Sequence, residues 1–229
     1  MHAHDQAESL ETKSFFGGAF NKPIMLAVVF AFFNQMAGIN AIIYYAPRIF
    51  EMTGLGSESA LLSTTGIGVT NLIFTMVGIF LIDRTGRKKL MLIGSLGLIL
   101  MLTLVAFAFF RESFGGVPLF LFTYIAFFAM SQGAVIWVFI SEIFPNEVRA
   151  QGQSLGSFTH WILAAIVANI FPLAANYFGG GPVFIFFAIM MVLQLIFVIR
   201  IMPETKGMSL EELEEKLLAD SGKQIADSK

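Results

Sequence analysis

Neutral polar side chains stand inside long apolar stretches of this sequence, and their types suit ligand binding. Gln35, Asn40, Asn71, Trp137 and His160 each interrupt such a stretch. If these stretches lie in lipid, each polar group costs free energy unless it faces a partner or a water-filled cavity. Several such groups in one protein therefore indicate a shared, wet binding cavity.

Amide and aromatic side chains favour an uncharged ligand that is rich in hydroxyl groups. Asn and Gln both donate and accept hydrogen bonds, as sugar hydroxyls do, and aromatic rings pack against the C–H face of a sugar ring. A charged substrate would favour Lys, Arg, Asp or Glu, which are almost absent from the apolar stretches. The alternative for any single amide is that it joins two helices, and we expect this for Gln132 and Asn169.

Gln35 and Asn40 lie in the same apolar stretch and are five residues apart. That spacing separates them by about 140° around a straight helix, so they would not share one face. Gly38 lies between them, and glycine tolerates backbone conformations that break a helix. We expect a break at Gly38 that turns both amides into one cavity.

The elements that position these side chains are six apolar segments. Hydrophobic residues make up 56% of the chain and charged residues 13%, whereas soluble domains carry about 25% charged residues. A membrane-spanning helix needs about 20 mostly apolar residues, and a helix satisfies its own backbone in lipid. We therefore predict an all-α membrane protein with transmembrane helices at 23–46, 61–82, 90–110, 118–140, 152–177 and 182–201.

Basic residues concentrate on one side of the six predicted spans. An even number of spans places both termini on the same side, and all 14 Lys and Arg residues except Arg48 and Arg111 lie there. Such an excess marks the cytoplasmic side. We expect a multi-pass protein of the cell membrane with both termini in the cytoplasm, divided into an N-terminal segment (1–22), a helix bundle (23–202) and a tail with a short amphipathic helix (203–229).

Several other functions do not fit this composition. The net charge of −2 argues against a nucleic-acid partner, which requires concentrated basic surface. The chain has no Cys, which removes disulfides and thiolate metal sites. The sequence shows no nucleophile–base pair and no cluster of metal ligands. We expect neither an enzyme nor a bound cofactor or metal.

Five motifs, in order along the chain, resemble those of the sugar porter family of the major facilitator superfamily. They are QMAGINAIIYY at 35–45, DRTGRK at 83–88, Trp137 followed by SEIFP at 141–145, PNEVRAQG at 145–152, and PETKG at 203–207. The resemblance covers nearly the whole chain, from about residue 15 to residue 215. It implies the C-terminal six-helix half of the major facilitator fold, with residues 1–22 at the end of the central loop that joins the halves.

The resemblance also implies which residues contact substrate. It assigns sugar contacts to Gln35, Asn40, Asn71 and Trp137. Two positions depart from the family pattern, because Asn34 stands where many members have Gln and His160 stands where members often have Asn or Gln. The complete set of candidate substrate-binding residues is Asn34, Gln35, Asn40, Tyr45, Asn71, Trp137, His160 and Trp161.

Charged residues at the cytoplasmic helix ends form a second candidate set. In the family, such charges are taken to bridge helix bundles while the inner gate is closed, so that breaking ion pairs biases a two-state equilibrium. The alternative is that they are solvated charges worth little individually, and we expect this for Lys88, Lys89 and Lys206. The candidate gate residues are Asp83, Arg84, Arg87, Glu142, Arg149 and Glu204.

Carriers of this superfamily consist of two six-helix halves with the substrate between them. We therefore expect monosaccharide transport by alternating access, as uniport or proton symport, together with an N-terminal six-helix half or as a homodimer. The alternative is a truncated, non-transporting membrane protein with a sugar-binding or regulatory role.

Overall fold

The computed structural model describes residues 15–16, 18, 20–52, 54, 56–208 and 212. These residues form eight α-helices and one π-helical turn. In chain order they are α1 (Asn21–Met36), α2 (Ile39–Met52), α3 (Ser57–Thr85), α4 (Arg87–Phe110), α5 (Val117–Phe128), the π-turn (Ala129–Gly133), α6 (Ala134–Glu142), α7 (Arg149–Phe178) and α8 (Gly180–Arg200).

Six spans in the described part of the chain are long and apolar enough to cross a membrane. Helices α1 and α2 together form the first span, and α5, the π-turn and α6 together form the fourth. The predicted segments match the spans to within five residues at each end, so the six-span prediction is confirmed. Apart from residue 212, the predicted amphipathic helix of the tail lies outside the described residues, as does most of segment 1–22.

A buried polar layer separates two apolar clusters in the bundle. One cluster contains Leu98, Tyr124 and Phe184, and the other contains Phe30 and Phe139. Along the helices that contribute to both clusters, the polar residues fall at the point where one cluster gives way to the other. The layer consists of Asn34, Gln35, Ser95, Ser131, Gln132 and Gln194.

Helices α3 and α7 are much less buried than the others. In their most apolar windows only 17% and 22% of the residues are buried, whereas the other four spans reach at least 50%. Helix α4 packs most extensively against α8, and α1 packs against α7. The bundle therefore presents two helices whose side chains remain largely uncovered by the rest of the chain.

Candidate functional site

A helix break brings Gln35 and Asn40 together. Helix α1 ends at Met36 and α2 begins at Ile39, and Gly38 between them has a φ of +82°, a conformation that glycine adopts without steric cost. The Asn40 amide Nδ2 donates to Gln35 Oε1 at 2.7 Å. The carbonyl of Ala37 at the break accepts a hydrogen bond from the Tyr124 hydroxyl at 2.8 Å, which satisfies a backbone group.

The Gln35 amide continues into a chain of polar contacts across the bundle. Its Nε2 lies 3.0 and 3.1 Å from the two ring nitrogens of His160 on α7. The same Nε2 donates to Asn34 Oδ1 at 3.4 Å. Asn34 Nδ2 in turn donates to the backbone carbonyl of Gln132 in the π-turn at 3.3 Å. This chain links both parts of the first span to the fourth and fifth spans.

Two indole rings flank His160. The ring centroid of Trp137 on α6 lies 5.0 Å from that of His160, and the centroid of Trp161 lies 5.1 Å from it. Both indoles remain substantially exposed, at 42% for Trp137 and 60% for Trp161, whereas His160 is only 9% exposed. The indoles therefore offer ring faces beside the buried amides.

One open cleft of about 270 Å³ collects most of the predicted substrate-binding residues. Its size is near the lower end of the range for small-molecule sites. Its polar and aromatic lining is neutral when His160 is unprotonated, which suits hydroxyl groups rather than a charged ligand. The predicted residues that line it are Asn34, Gln35, Asn40, Asn71, Trp137, His160 and Trp161.

The structure does not bring Tyr45 to this cleft. The Tyr45 hydroxyl donates to the carbonyl of Ala168 at 3.3 Å, and its ring packs against Phe171 with the centroids 5.2 Å apart. Tyr45 instead lines a separate cleft that also contains Arg48. The reason is helical geometry, because five residues along α2 turn Tyr45 away from the direction of Asn40.

Thr75 lines the cleft although the sequence analysis did not select it. It follows Asn71 by four residues on α3, and residues at that spacing share one face of a helix. That spacing was the signal that could have identified it. Phe128, Ile136 and Gly133 also line the cleft, but their types carry no signal that separates them from ordinary core residues.

The two amides expected to join helices behave differently. Gln132 is fully buried, and its Nε2 contacts the sulfur of Met191 on α8 at 3.2 Å, as expected of a residue between helices. Asn169 is exposed and donates to the carbonyl of Ala165 on its own helix at 2.8 Å. Among the described residues, the Asn169 amide therefore contacts its own helix one turn earlier, and its contact with another helix stays a prediction.

A larger groove of about 370 Å³ lies between the later part of α7 and the beginning of α8. Its lining side chains are all apolar, and they include Phe171, Phe178 and Phe186. Such a groove offers no side-chain donor or acceptor for sugar hydroxyls. Its chemistry therefore does not suit the ligand that the polar cleft suits.

A cluster of charged residues joins the ends of α4 and α6. Arg87 donates to both carboxylate oxygens of Glu142, from Nη2 at 2.6 Å and from Nε at 3.1 Å. A second carboxylate, that of Asp83, lies 3.3 Å from Arg87 but is 78% exposed. The Thr205 hydroxyl donates to Glu142 Oε2 at 2.6 Å. Glu142 therefore connects three parts of the chain at one end of the bundle.

Glu204 caps the beginning of α4 from the segment that follows α8. Its Oε1 accepts from the backbone N–H of Arg87 at 2.9 Å, and its Oε2 accepts from that of Lys88 at 3.2 Å. A carboxylate at this position satisfies free N–H groups and opposes the positive end of the helix dipole. Gly86, with a φ of +91°, leaves room for this carboxylate, because a Cβ there would lie 2.6 Å from Glu204 Oε2.

Arg149 and Arg84 do not join this cluster. Arg149 Nε donates to the carbonyl of Phe144 at 3.4 Å, while its Nη2 is buried and has no hydrogen-bond partner among the described residues. Arg84 contributes its backbone carbonyl, which accepts from Lys206 Nζ at 2.6 Å. Lys88 Nζ similarly donates to the carbonyl of Ile199 at 3.1 Å. These two lysines contact helix-end carbonyls rather than carboxylates.

Comparison with known proteins gives a consistent result. The profile of the family described as Sugar (and other) transporter matches residues 1–217. The chain is 37% identical over 202 residues to the arabinose-proton symporter of Bacillus subtilis, covering 87% of this chain and 44% of the relative. It is 38% identical over 205 residues to the glucose facilitated diffusion protein of Zymomonas mobilis, covering 86% and 43%.

The fold agrees with a solved structure as well. The proton:xylose symporter XylE bound to 6-bromo-6-deoxy-D-glucose matches with a TM-score of 0.77 at 37% identity, over 85% of this chain and 42% of that one. The chain thus spans about half the length of the curated relatives it matches. It belongs to the sugar transporter family of the major facilitator superfamily, as a multi-pass membrane protein that corresponds to one six-helix half of the fold.

Proposed function

We propose that this chain is the C-terminal half of a sugar carrier and that it binds a monosaccharide in the polar cleft. The observation that carries the proposal is the composition of that cleft. Amides from α1, α2 and α3 and indoles from α6 and α7 converge on one open space, at the depth of the buried polar layer. These groups match the hydroxyls and the C–H face of a sugar. The proposed activity is transport rather than an enzymatic reaction.

A second six-helix unit completes the site in this proposal, either an N-terminal half or a second copy of this chain. The cleft is bordered by α3 and α7, which are the two least buried spans. Lipid cannot satisfy the amides of Asn40 and Asn71 or the indole N–H of Trp161, so an uncovered cleft would be costly. Covering it creates the central cavity that alternating access requires.

The relatives suggest the first sugars to test. Their names include an arabinose-proton symporter, a glucose facilitated diffusion protein and a D-xylose-proton symporter. Both proton symport and uniport are therefore represented among proteins similar to this chain. L-arabinose, D-glucose and D-xylose are the appropriate probes for binding and uptake.

The decisive experiment measures uptake of these three radiolabelled sugars by vesicles. One preparation contains this chain with an N-terminal half, a second contains this chain alone, and a third carries Gln35→Leu with the N-terminal half. Uptake that requires Gln35 supports the proposal, and uptake by the chain alone supports the homodimer. Saturable binding without uptake in any preparation would instead support the non-transporting alternative.

We further propose that both termini are cytoplasmic and that the charged cluster holds the inner ends of the helices together. The ion pair of Arg87 with Glu142 and the cap from Glu204 lie on the side that carries most of the basic residues. Reporter fusions at Gly180 and Lys229 should then report opposite sides of the membrane, and agreement between them would contradict the orientation.

A further inference from the structure

We propose that His160 is a positioning residue that, while neutral, supports a single direction of hydrogen bonding in the cleft, the direction fixed by the Gln132 carbonyl. Gln35 Nε2 lies against its neutral ring, so that the amide oxygen of Gln35 faces Asn40 and the Asn40 oxygen remains for the substrate. The consequence for the substrate rests on the proposed function. The direction of the hydrogen-bond chain does not depend on that proposal, because it follows from these residues alone.

The backbone carbonyl of Gln132 fixes this direction at one end. A carbonyl can only accept, so Asn34 must present Nδ2 to it, at 3.3 Å, and must turn Oδ1 toward Gln35. Gln35 must then present Nε2 to Asn34 Oδ1 and Oε1 to Asn40. The hydrogen-bond chain thus runs from the Gln132 carbonyl through Asn34 and Gln35 to Asn40. Each side-chain amide in it is oriented by the group before it.

His160 is compatible with this direction only when it is neutral. Gln35 Nε2 lies 3.1 and 3.0 Å from the two ring nitrogens, which places it against the face of the ring rather than on one nitrogen's lone pair, and a neutral ring of either tautomer tolerates an N–H group there. A protonated ring carries hydrogen on both nitrogens, so it would oppose the Gln35 N–H group. Rotation of the Gln35 amide would relieve this conflict but would place its oxygen against Asn34 Oδ1. Protonation of His160 is therefore incompatible with the amide orientations that the Gln132 carbonyl imposes.

The described residues that line the cleft place no charged group next to His160. On the helices packed against α7, the charged groups lie near the helix ends, and Tyr44 in the middle of α2 is 58% exposed and is not among the residues that line the cleft. Tyr45 donates to the Ala168 carbonyl and Glu142 pairs with Arg87. The remaining groups on these helices and on α7 itself are Lys22, Tyr44, Arg48, Glu51, Arg149, Tyr177 and Arg200.

Tryptophan fluorescence gives a direct readout of this protonation. The chain contains two Trp residues, and both contact His160, whose protonated ring would quench indole emission. The titration uses the full chain in detergent micelles between pH 4 and pH 8, with His2 and His4 replaced by Asn so that His160 is the remaining histidine. In the same background, His160→Gln should remove the transition.

Two variants test the direction of the hydrogen-bond chain without altering His160. Asn34→Leu removes the acceptor for Gln35 Nε2, and Asn40→Leu removes the donor to Gln35 Oε1, so each variant lowers the cost of rotating the Gln35 amide until its oxygen faces a protonated ring. Each should raise the midpoint of the transition by about 0.5–1 pH unit, the equivalent of roughly one hydrogen bond. Asn169→Leu on α7, which lies outside the hydrogen-bond chain, should leave the midpoint unchanged.

The outcomes separate this inference from the proposed function. The inference would be overturned if the transition midpoint did not shift, or shifted downward, in either folded Leu variant. It would also be overturned if neither the parent nor any variant showed a His160-dependent transition. Sugar does not enter the titration, so failure of D-glucose, D-xylose and L-arabinose to bind would overturn only the proposed function. If sugar binds, its affinity should weaken on acidification in the parent and not in His160→Gln.

Discussion

Arg87 and Glu142 form a two-contact ion pair between the beginning of α4 and the end of α6, with Nη2–Oε1 at 2.6 Å and Nε–Oε2 at 3.1 Å. Their side chains are 11% and 22% exposed. Paired contacts of this geometry with limited exposure are stronger than ordinary surface pairs. This pair is therefore the contact at the charged end most able to affect stability.

The first prediction concerns the strength of this pair. In a double-mutant cycle with Arg87→Met and Glu142→Gln, we expect a coupling free energy of about 1–3 kcal/mol, measured by unfolding in mixed micelles. Asp83→Asn should cost less than about 0.5 kcal/mol, because Asp83 is 78% exposed. Additive effects of the two substitutions at 87 and 142 would contradict the prediction.

The second prediction concerns the cap on α4. Glu204→Ala removes the acceptor for the backbone N–H groups of Arg87 and Lys88 and should lower the free energy of unfolding by about 1–2 kcal/mol. Glu147→Gln changes an exposed carboxylate and is the matched control. Equal effects of the two variants would show that the cap contributes nothing specific.

The third prediction concerns the helix break. A Cβ at Gly38 would lie 2.6 Å from the Phe187 ring, whereas a Cβ at Gly179, with the same φ of +82°, meets nothing within 4 Å. Gly38→Ala should therefore destabilise the bundle by at least about 1 kcal/mol more than Gly179→Ala. Phe187→Leu should recover part of that difference in thermal unfolding, and its failure to do so would place the strain in the backbone instead.

The fourth prediction concerns the polar cleft. Gln35→Leu and Asn40→Leu should each weaken sugar binding by roughly 1–3 kcal/mol, because each leaves a buried partner unpaired. Trp137→Ala should also weaken binding through lost ring packing. Calorimetry on this chain assembled with an N-terminal half provides the measurement, with Asn169→Leu as the control. Unchanged binding in the first two variants, with a loss in Asn169→Leu, would put the site elsewhere.

The sequence by itself determined the number of spans and the family. Both depend on local properties, namely the length of apolar segments and the order of short motifs, so no knowledge of packing was needed. The polar residues of the spans were recognisable because lipid makes each of them costly, and seven of them line one cleft.

Only the tertiary structure decided which polar groups meet. Tyr45 and Asn169 face away from the cleft, and Glu142 pairs with Arg87 rather than Arg149. The π-turn at Ala129–Gly133, which the apolar pattern did not reveal, positions the Gln132 carbonyl against Asn34. These outcomes depend on helix rotation, on the break at Gly38 and on side-chain torsions. Packing between distant segments sets those variables, and residue types along one segment do not encode them.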